Sequence, residues 1–254
     1  MNNTDIIFGA YRKFCKLAAS DPAVFDTFKR HPDYVPILEH VSFVHGAAYL
    51  DTIKEKNPHL LKLIEKFKEN DKVGHPNTCF YRETGDISPT TLRYIKTASD
   101  LIDIFDSWEN ESIFELGAGY GGQCKVLSDI FQPKKYTMAD LPEVVLLIEQ
   151  FVKRLNIGNV HLCTEETIPS EEYDLFISNY AFTEIDRKLQ QMYIDKVISK
   201  STHGYITCNF VSRDVFGINS YTREELLSHI PHQYTIVDEI PCTDEHKKNF
   251  LLLW

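Results

Sequence analysis

The chain has 254 residues, 43% hydrophobic and 25% charged, an ordinary globular composition that suits one sizeable core or a core with a smaller appendage. Its formal net charge of −10 argues against a nucleic-acid surface, which needs clustered Lys and Arg. Six scattered cysteines without C-x-x-C spacing, no apolar leader at the start and no apolar run near the roughly 20 residues of a membrane helix point to a cytoplasmic protein with reduced thiols and no integral membrane segment.

Residues 4–70 read as three to five short helices with no sheet. Asp21-Pro22 and Asn57-Pro58 each pair a capping residue with a first-turn proline. Leu60, Leu61, Leu63, Ile64 and Phe67 follow at helical spacing. The lysines at 62, 66, 68 and 72 alternate with glutamates, as on a solvated face. His40, His45 and His59 do not have the spacing of a metal site. Residues 71–87 contain Gly74, Pro76 and Gly85 and read as a loop joining two parts. That loop also carries His75, Tyr81 and Arg82, so it is either a solvated connection or one wall of a site.

Ser88 as cap and Pro89 in the first turn open a long helix to about 106, with Leu92, Ile95, Ala98, Leu101, Ile102 and Phe105 as its apolar stripe. The stretch SIFELGAGYGG at 112–122 then organises everything after it. Ile113, Phe114 and Leu116 make a short buried strand, which breaks into Gly117, Gly119, Gly121 and Gly122 before a helix at 123–131. Strand, glycine turn and helix bring backbone N–H groups up to a ligand, and glycine permits both φ > 0 and close approach.

From there strands and helices alternate. Strands are expected at 135–139, 159–163, 173–179, 204–210, 234–240 and 249–254. Helices are expected at 142–155, 186–200 and from the capping box Thr222-x-x-Glu225 to about 230. Apolar strands with crossover helices mean an α/β, Rossmann-like, mostly parallel seven-stranded sheet, covered on both faces. The short connection before 249 makes one of the last two strands antiparallel.

The glycines alone leave two readings. Gly117, Gly119 and Gly122 satisfy G-x-G-x-x-G, and Asp140 lies near the spacing of a ribose-binding acid, so a nicotinamide-dependent oxidoreductase is one. Glu115 favours another, because a carboxylate there repels a pyrophosphate and welcomes an ammonium or sulfonium.

The five segments ISPTTLRYIK, FELGAGYGGQ, YTMADLPE, FISNYAFTE and NFLLLW, in this order, resemble class I S-adenosylmethionine-dependent methyltransferases over 88–254. More narrowly, they resemble the sugar O-methyltransferase family of bacterial surface-glycan clusters. The resemblance implies strand order 3-2-1-4-5-7-6, with 1–87 a helical cap for substrate or oligomerisation and 88–254 the cofactor domain. It implies S-adenosylmethionine as cofactor, bound by Glu115, Gly117, Ala118, Gly119, Gly122, Asp140, Leu141, Asn179 and Arg93. Asp140 would accept from the ribose diol or cap the next helix, or do both. Thr164, Glu165 and Glu166 would reach the adenine amine.

Asn179 would lie beside the transferring methyl, with Tyr180 and Phe182 excluding water. Glu184 is the first candidate for general base, its alternative being to orient the next helix. No histidine stands in that loop, where plant-type relatives carry their base. Asn209, Tyr221, Tyr81, Tyr94 and His75 would meet a polyol, and Arg93 would serve either that acceptor or the cofactor carboxylate. Only Glu184 and Asp186 could ligate Mg²⁺ at these strand ends, so the expectation is metal-free catalysis. The expected reaction is methyl transfer to a sugar hydroxyl, on a free, nucleotide-linked or glycan acceptor. The alternatives are an amino sugar or another small molecule, and the N-terminal helices offer a homo-oligomer surface.

Overall fold

The computed structural model describes residues 3–105, 110–242 and 249–254. The N-terminal part is helical: α1 (Asn3–Ser20), α2 (Pro22–Phe25), α3 (Val35–Leu38), α4 (Phe43–Lys56) and α5 (Ile64–Phe67), with 3-10 turns at Phe28–Arg30, Pro58–Leu63 and Lys68–Lys72. Asp21 caps α2 by accepting from the N–H groups of Ala23 and Val24, with Pro22 at its first position. The joining loop holds a two-stranded hairpin that sequence reading missed, β1 (Cys79–Tyr81) with β2 (Gly85–Ile87). Three-residue strands are too short for alternation to register.

Helix α6 (Pro89–Ile104) is capped twice. Ser88 Oγ accepts from the Thr90 N–H at 3.2 Å, and the Asp71 carboxylate accepts from the Ser88 N–H at 2.8 Å and the Thr91 hydroxyl at 2.6 Å. Its stripe of Leu92, Ile95, Ala98 and Leu101 is fully buried.

The α/β part follows: β3 (Ser112–Leu116), α7 (Gly122–Phe131), β4 (Lys135–Ala139), α8 (Pro142–Leu155), β5 (Val160–Cys163), β6 (Tyr173–Asn179), α9 (Arg187–Lys196), β7 (Ser201–Cys208), α10 (Val211–Phe216), α11 (Arg223–His229), β8 (Thr235–Asp238) and β9 (Phe250–Leu253). The sheet order is β5-β4-β3-β6-β7-β9-β8, the order the resemblance implies. Strands β3 to β7 pair in parallel, and β9 lies antiparallel to both neighbours. Strand β7 begins at Ser201, three residues earlier than expected, because Ser201 and His203 pair with Tyr173 and Leu175 although they are polar. Helix α10 is a second element with no sequence signal.

Two apolar layers flank the sheet. Ile113, Tyr136, Met138 and Ile177 face α6, α7, α8 and the N-terminal helices in one continuous core. Phe114, Leu116, Phe176 and Ile206 face α9 and α11. The N-terminal helices are packed into the first layer: α1 runs along α8, where Arg12 makes a two-pronged pair with Glu143 at 3.0 Å. Among the described residues no helix is long and apolar enough to cross a membrane.

Candidate functional site

Strand order reverses about β3, with β4 on one side and β6 on the other, so a crevice opens beyond the carboxyl ends of these strands. Three turns build it. In the first, 117–121, Gly117, Gly119 and Gly121 have φ of +77°, +60° and +93°, which an L side chain adopts only with strain. A Cβ on Gly117 would stand 2.2 Å from the Ala181 methyl, and one on Gly119 would stand 2.7 Å from Leu38 Cδ1. The turn is thus clamped between the loop after β6 and the cap segment α3.

The second turn follows β4. Asp140 Oδ2 accepts from the Gly119 N–H at 2.9 Å, and Oδ1 accepts from the Leu141 N–H at 2.7 Å. Asp140 does not cap α8, whose first position follows Leu141 and receives no side-chain bond. Its carboxylate closes the glycine turn onto the tip of β4 instead. Burial pushes its pKa up to about 6, held back by those two N–H groups. Two acceptor sites on the carboxylate remain for hydroxyl donors.

The third turn follows β6. Asn179 Oδ1 accepts from the Thr207 hydroxyl at 3.1 Å. Tyr180 has φ of +69° in a bulky residue, a strained backbone of the kind that clusters at ligand sites. Its hydroxyl donates to Glu239, which also accepts from Asn249 Nδ2 at 3.0 Å. Glu184 Oε1 accepts from Asn209 Nδ2 at 2.9 Å, and burial raises the Glu184 pKa while Asn209 opposes the rise.

Glu115 lies one layer below. It is only 3% exposed and shares the sheet face of Ile113, with Tyr136 donating a hydroxyl bond at 2.8 Å. Burial pushes its pKa to about 8, the Tyr136 bond working against that and the Asp140 charge with it. A cation above the turn would lower it again.

Other expected residues have packing or hydrogen-bond partners within the fold or lie exposed. Tyr81 stacks on Phe43 at 5.0 Å and donates to its carbonyl at 3.1 Å, fastening the hairpin to α4. Tyr221 donates to Gln191 at 2.8 Å and stacks on His229 at 4.5 Å, between α9 and α11. Asn209 gives its amide nitrogen to Glu184 and its oxygen to the Val211 N–H, so it positions Glu184. His75 is exposed at a φ of +49°. Gly122 faces the rings of Tyr94 and Tyr120, and Ala118 is buried. Glu165 and Glu166 are exposed.

Arg93 and Tyr94 do lie at the crevice. The Arg93 guanidinium sits 5.7 Å from the Tyr94 ring centre and 6.0 Å from that of Tyr180, and donates to the Leu38 carbonyl at a long 3.4 Å. Sequence reading missed what the cap brings: Leu38 over Gly119, then Glu39 and His40. Burial and the nearby Arg93 and His45 charges hold His40 down at about 4. No local pattern marks residues some 80 positions from the glycine turn. A separate groove of about 760 Å³ lies at the opposite, amino edge of the sheet. Four of its charges pair with one another, Lys135 with Glu171 and Lys134 with Asp174.

No protein-family model and no curated sequence matches the chain. Solved structures do. An S-adenosylmethionine-dependent methyltransferase from Clostridium acetobutylicum ATCC 824 aligns over 63% of this chain and 88% of its own at 11% identity, TM-score 0.50. A SAM-dependent methyltransferase from Aquifex aeolicus aligns over 61% and 86% at 17% identity, TM-score 0.46. Geranyl diphosphate C-methyltransferase from Streptomyces coelicolor A3(2) aligns over 65% and 76% at 14% identity, TM-score 0.49. At these identities the likeness is one of fold.

Proposed function

We propose that the chain is an S-adenosylmethionine-dependent methyltransferase that methylates a hydroxyl group, with a sugar as acceptor. One observation carries the reading. At the switch point of a sheet of this order, one Asp140 oxygen is tied to the glycine turn through Gly119 and the other to the Leu141 N–H, with acceptor capacity left over, and Glu115 lies buried beneath. A ribose diol and a cationic sulfonium with its ammonium fit those two acids, one above the other. A pyrophosphate does not.

When bound, the donor supplies an activated methyl group, so transfer is an in-line displacement that needs alignment more than activation. Asp140 fixes the ribose, and the glycine turn, clamped by Ala181 and Leu38, holds its backbone in place beside the donor. Tyr180, whose ring faces Arg93, excludes water from the methyl-transfer zone. Glu184, held by Asn209 and raised by burial, accepts the acceptor hydroxyl's proton late in the displacement. The sugar assignment rests on the resemblance of the five segments and on the density of hydroxyl and amide groups around the β6 loop.

Mass spectrometry of ligand carried through purification, then calorimetry with S-adenosylhomocysteine, tests the first half. Release of S-adenosylhomocysteine against a panel of free, nucleotide-linked and polymeric sugars tests the second. Saturable enhancement of NADH fluorescence without binding of S-adenosylhomocysteine would replace the proposal with an oxidoreductase.

A further inference from the structure

Tyr180, at the tip of β6, has φ of +69° and ψ of −39°. That pair lies outside the left-handed helical well and near the strained γ-turn, so a bulky L residue keeps it only where its surroundings over-determine it. The backbone is held on both sides. The Tyr180 N–H donates to the Thr207 carbonyl at 2.9 Å, and its carbonyl accepts from the Thr183 N–H at 3.1 Å and the Thr183 hydroxyl at 2.9 Å. Those bonds fix the peptide groups and leave the ring to be fixed from elsewhere.

Distant parts of the chain do so. The Tyr180 hydroxyl donates to Glu239, which is 5% exposed and whose other oxygen accepts from Asn249 Nδ2 at 3.0 Å. Glu239 directly follows β8 and Asn249 directly precedes β9, where Asp238, Phe250 and Cys208 lie in register at the carboxyl edge of the sheet. With the order β6-β7-β9-β8, the bond from Tyr180 to Glu239 spans two intervening strands. Tyr49 of α4, 3% exposed, shares a hydrogen bond with Tyr180, and the Arg93 guanidinium lies 6.0 Å from its ring centre. A carboxylate is buried only where hydrogen bonds satisfy it, so Glu239 and the Tyr180 ring fix one another.

A chain of bonds leads on from Tyr180 to the proposed base. The Thr183 hydroxyl that donates to the Tyr180 carbonyl accepts from the Asn209 N–H at 3.1 Å, and Asn209 Nδ2 donates to Glu184 at 2.9 Å. Ala181, the residue after Tyr180, brings the methyl that bounds Gly117. We infer that Glu239 is a positioning residue: through the Tyr180 hydroxyl it holds the turn after β6, and with it Glu184, in place for methyl transfer. The consequence for turnover rests on the methyltransferase reading; the hold on the turn does not. The antiparallel edge pair β8–β9 thereby takes part in the site from two strands away.

Amide hydrogen exchange followed by NMR measures the hold directly. In Glu239→Ala the Tyr180 and Thr183 amides should exchange about tenfold faster or more, with the amides of β3 and β4 within about twofold of wild type. Tyr180→Phe should do the same, and the double variant should add less than about twofold to either, because the two residues act as one. Glu239→Gln keeps an acceptor for the phenol and should restore exchange to within about threefold of wild type. On the sugar that gives the largest S-adenosylhomocysteine release, Glu239→Ala should lower kcat by roughly 10- to 100-fold, with S-adenosylhomocysteine affinity by calorimetry within about threefold. Unchanged exchange at the turn, acceleration spread equally over β3 and β4, losses that multiply in the double variant, or a loosened turn with unchanged kcat would overturn the inference. A wild type that binds no S-adenosylhomocysteine would instead remove the methyltransferase reading, and exchange alone would then decide the hold on the turn.

Discussion

The backbone N–H of Gly119 donates to Asp140 Oδ2 at 2.9 Å, so the glycine turn after β3 and the tip of β4 form one rigid unit. The Gly117 N–H adds a second link, donating to the Ala139 carbonyl at 2.9 Å. A ligand that bonds to Asp140 therefore meets a turn already in position and does not have to order it, which lowers the entropic cost of binding.

Replacing Asp140 by Ala should weaken S-adenosylhomocysteine binding by roughly 10- to 100-fold, the range expected when hydrogen bonds to a charged group, about 1.5–3 kcal/mol, are lost. It also leaves the Gly119 N–H without its partner. Asp140→Asn keeps one acceptor and should lose less. Calorimetry of the three proteins checks the order, and an unchanged affinity in Asp140→Ala would exclude the ribose role.

The raised pKa of Asp140, about 6 against an ordinary 3.8, has two opposite consequences. The charged form is the one that accepts from a diol, so affinity should fall as pH drops through about 6, by at most tenfold per unit. Stability runs the other way. Between about 4 and 6 the folded chain holds a proton that the unfolded chain has released, so this group's contribution declines as pH rises through that window and is constant above it. The slope of melting temperature against pH between 4 and 6 should become more positive in Asp140→Asn, which has no proton to exchange.

The parallel core was legible in the sequence because its signals are local. Strands β3, β4 and β6 fall at the expected residues: each is a short apolar run closed by Gly, Asp-Leu-Pro or Asn-Tyr. The acid at the end of β4 could be found from spacing after the glycines. What escaped is long-range. Leu38 reaches the glycine turn from some 80 residues away, with no motif to announce it. Asn209 looks like a substrate group in sequence because nothing local says that Glu184 takes its amide. Tyr81 and Tyr221 illustrate the converse, since a tyrosine in a loop is as often a packing residue as a ligand contact.

Gly117 tests the turn itself. Its φ of +77° costs an L residue about 1–2 kcal/mol, and a Cβ would also stand 2.2 Å from the Ala181 methyl. Gly117→Ala should lower the melting temperature and abolish measurable ligand binding. Adding Ala181→Gly removes the collision but not the backbone cost, so the double variant should regain part of the stability. No recovery would mean that the strained φ alone sets the requirement for glycine.

A buried ion pair anchors α6, the helix that carries Arg93, against the sheet. Lys96 Nζ donates to Asp100 Oδ2 at 2.6 Å, and the Tyr205 hydroxyl on β7 donates to the same oxygen at 2.7 Å. Both charged side chains are under 7% exposed. Asp100→Ala strands the Lys96 charge and should cost about 3–5 kcal/mol in chemical denaturation. Replacing Lys96 and Asp100 together by Met and Leu should cost less than the single change.

Asn209 and Glu184 give the sharpest test of the chemistry. Glu184→Gln keeps the shape and the Asn209 contact but cannot take a proton, so turnover should fall about 10²–10⁴-fold with donor affinity intact. Asn209→Ala acts through Glu184. Its N–H bond lowers a carboxyl pKa that burial raises, so removing it lets the pKa climb further. The base is then protonated up to a higher pH, and the acidic limb of the turnover–pH profile should move to higher pH while the rate at alkaline pH stays close to wild type. A uniform loss at every pH would assign Asn209 a structural role, and full activity in Glu184→Gln would move the base elsewhere, with His40 the next side chain to substitute.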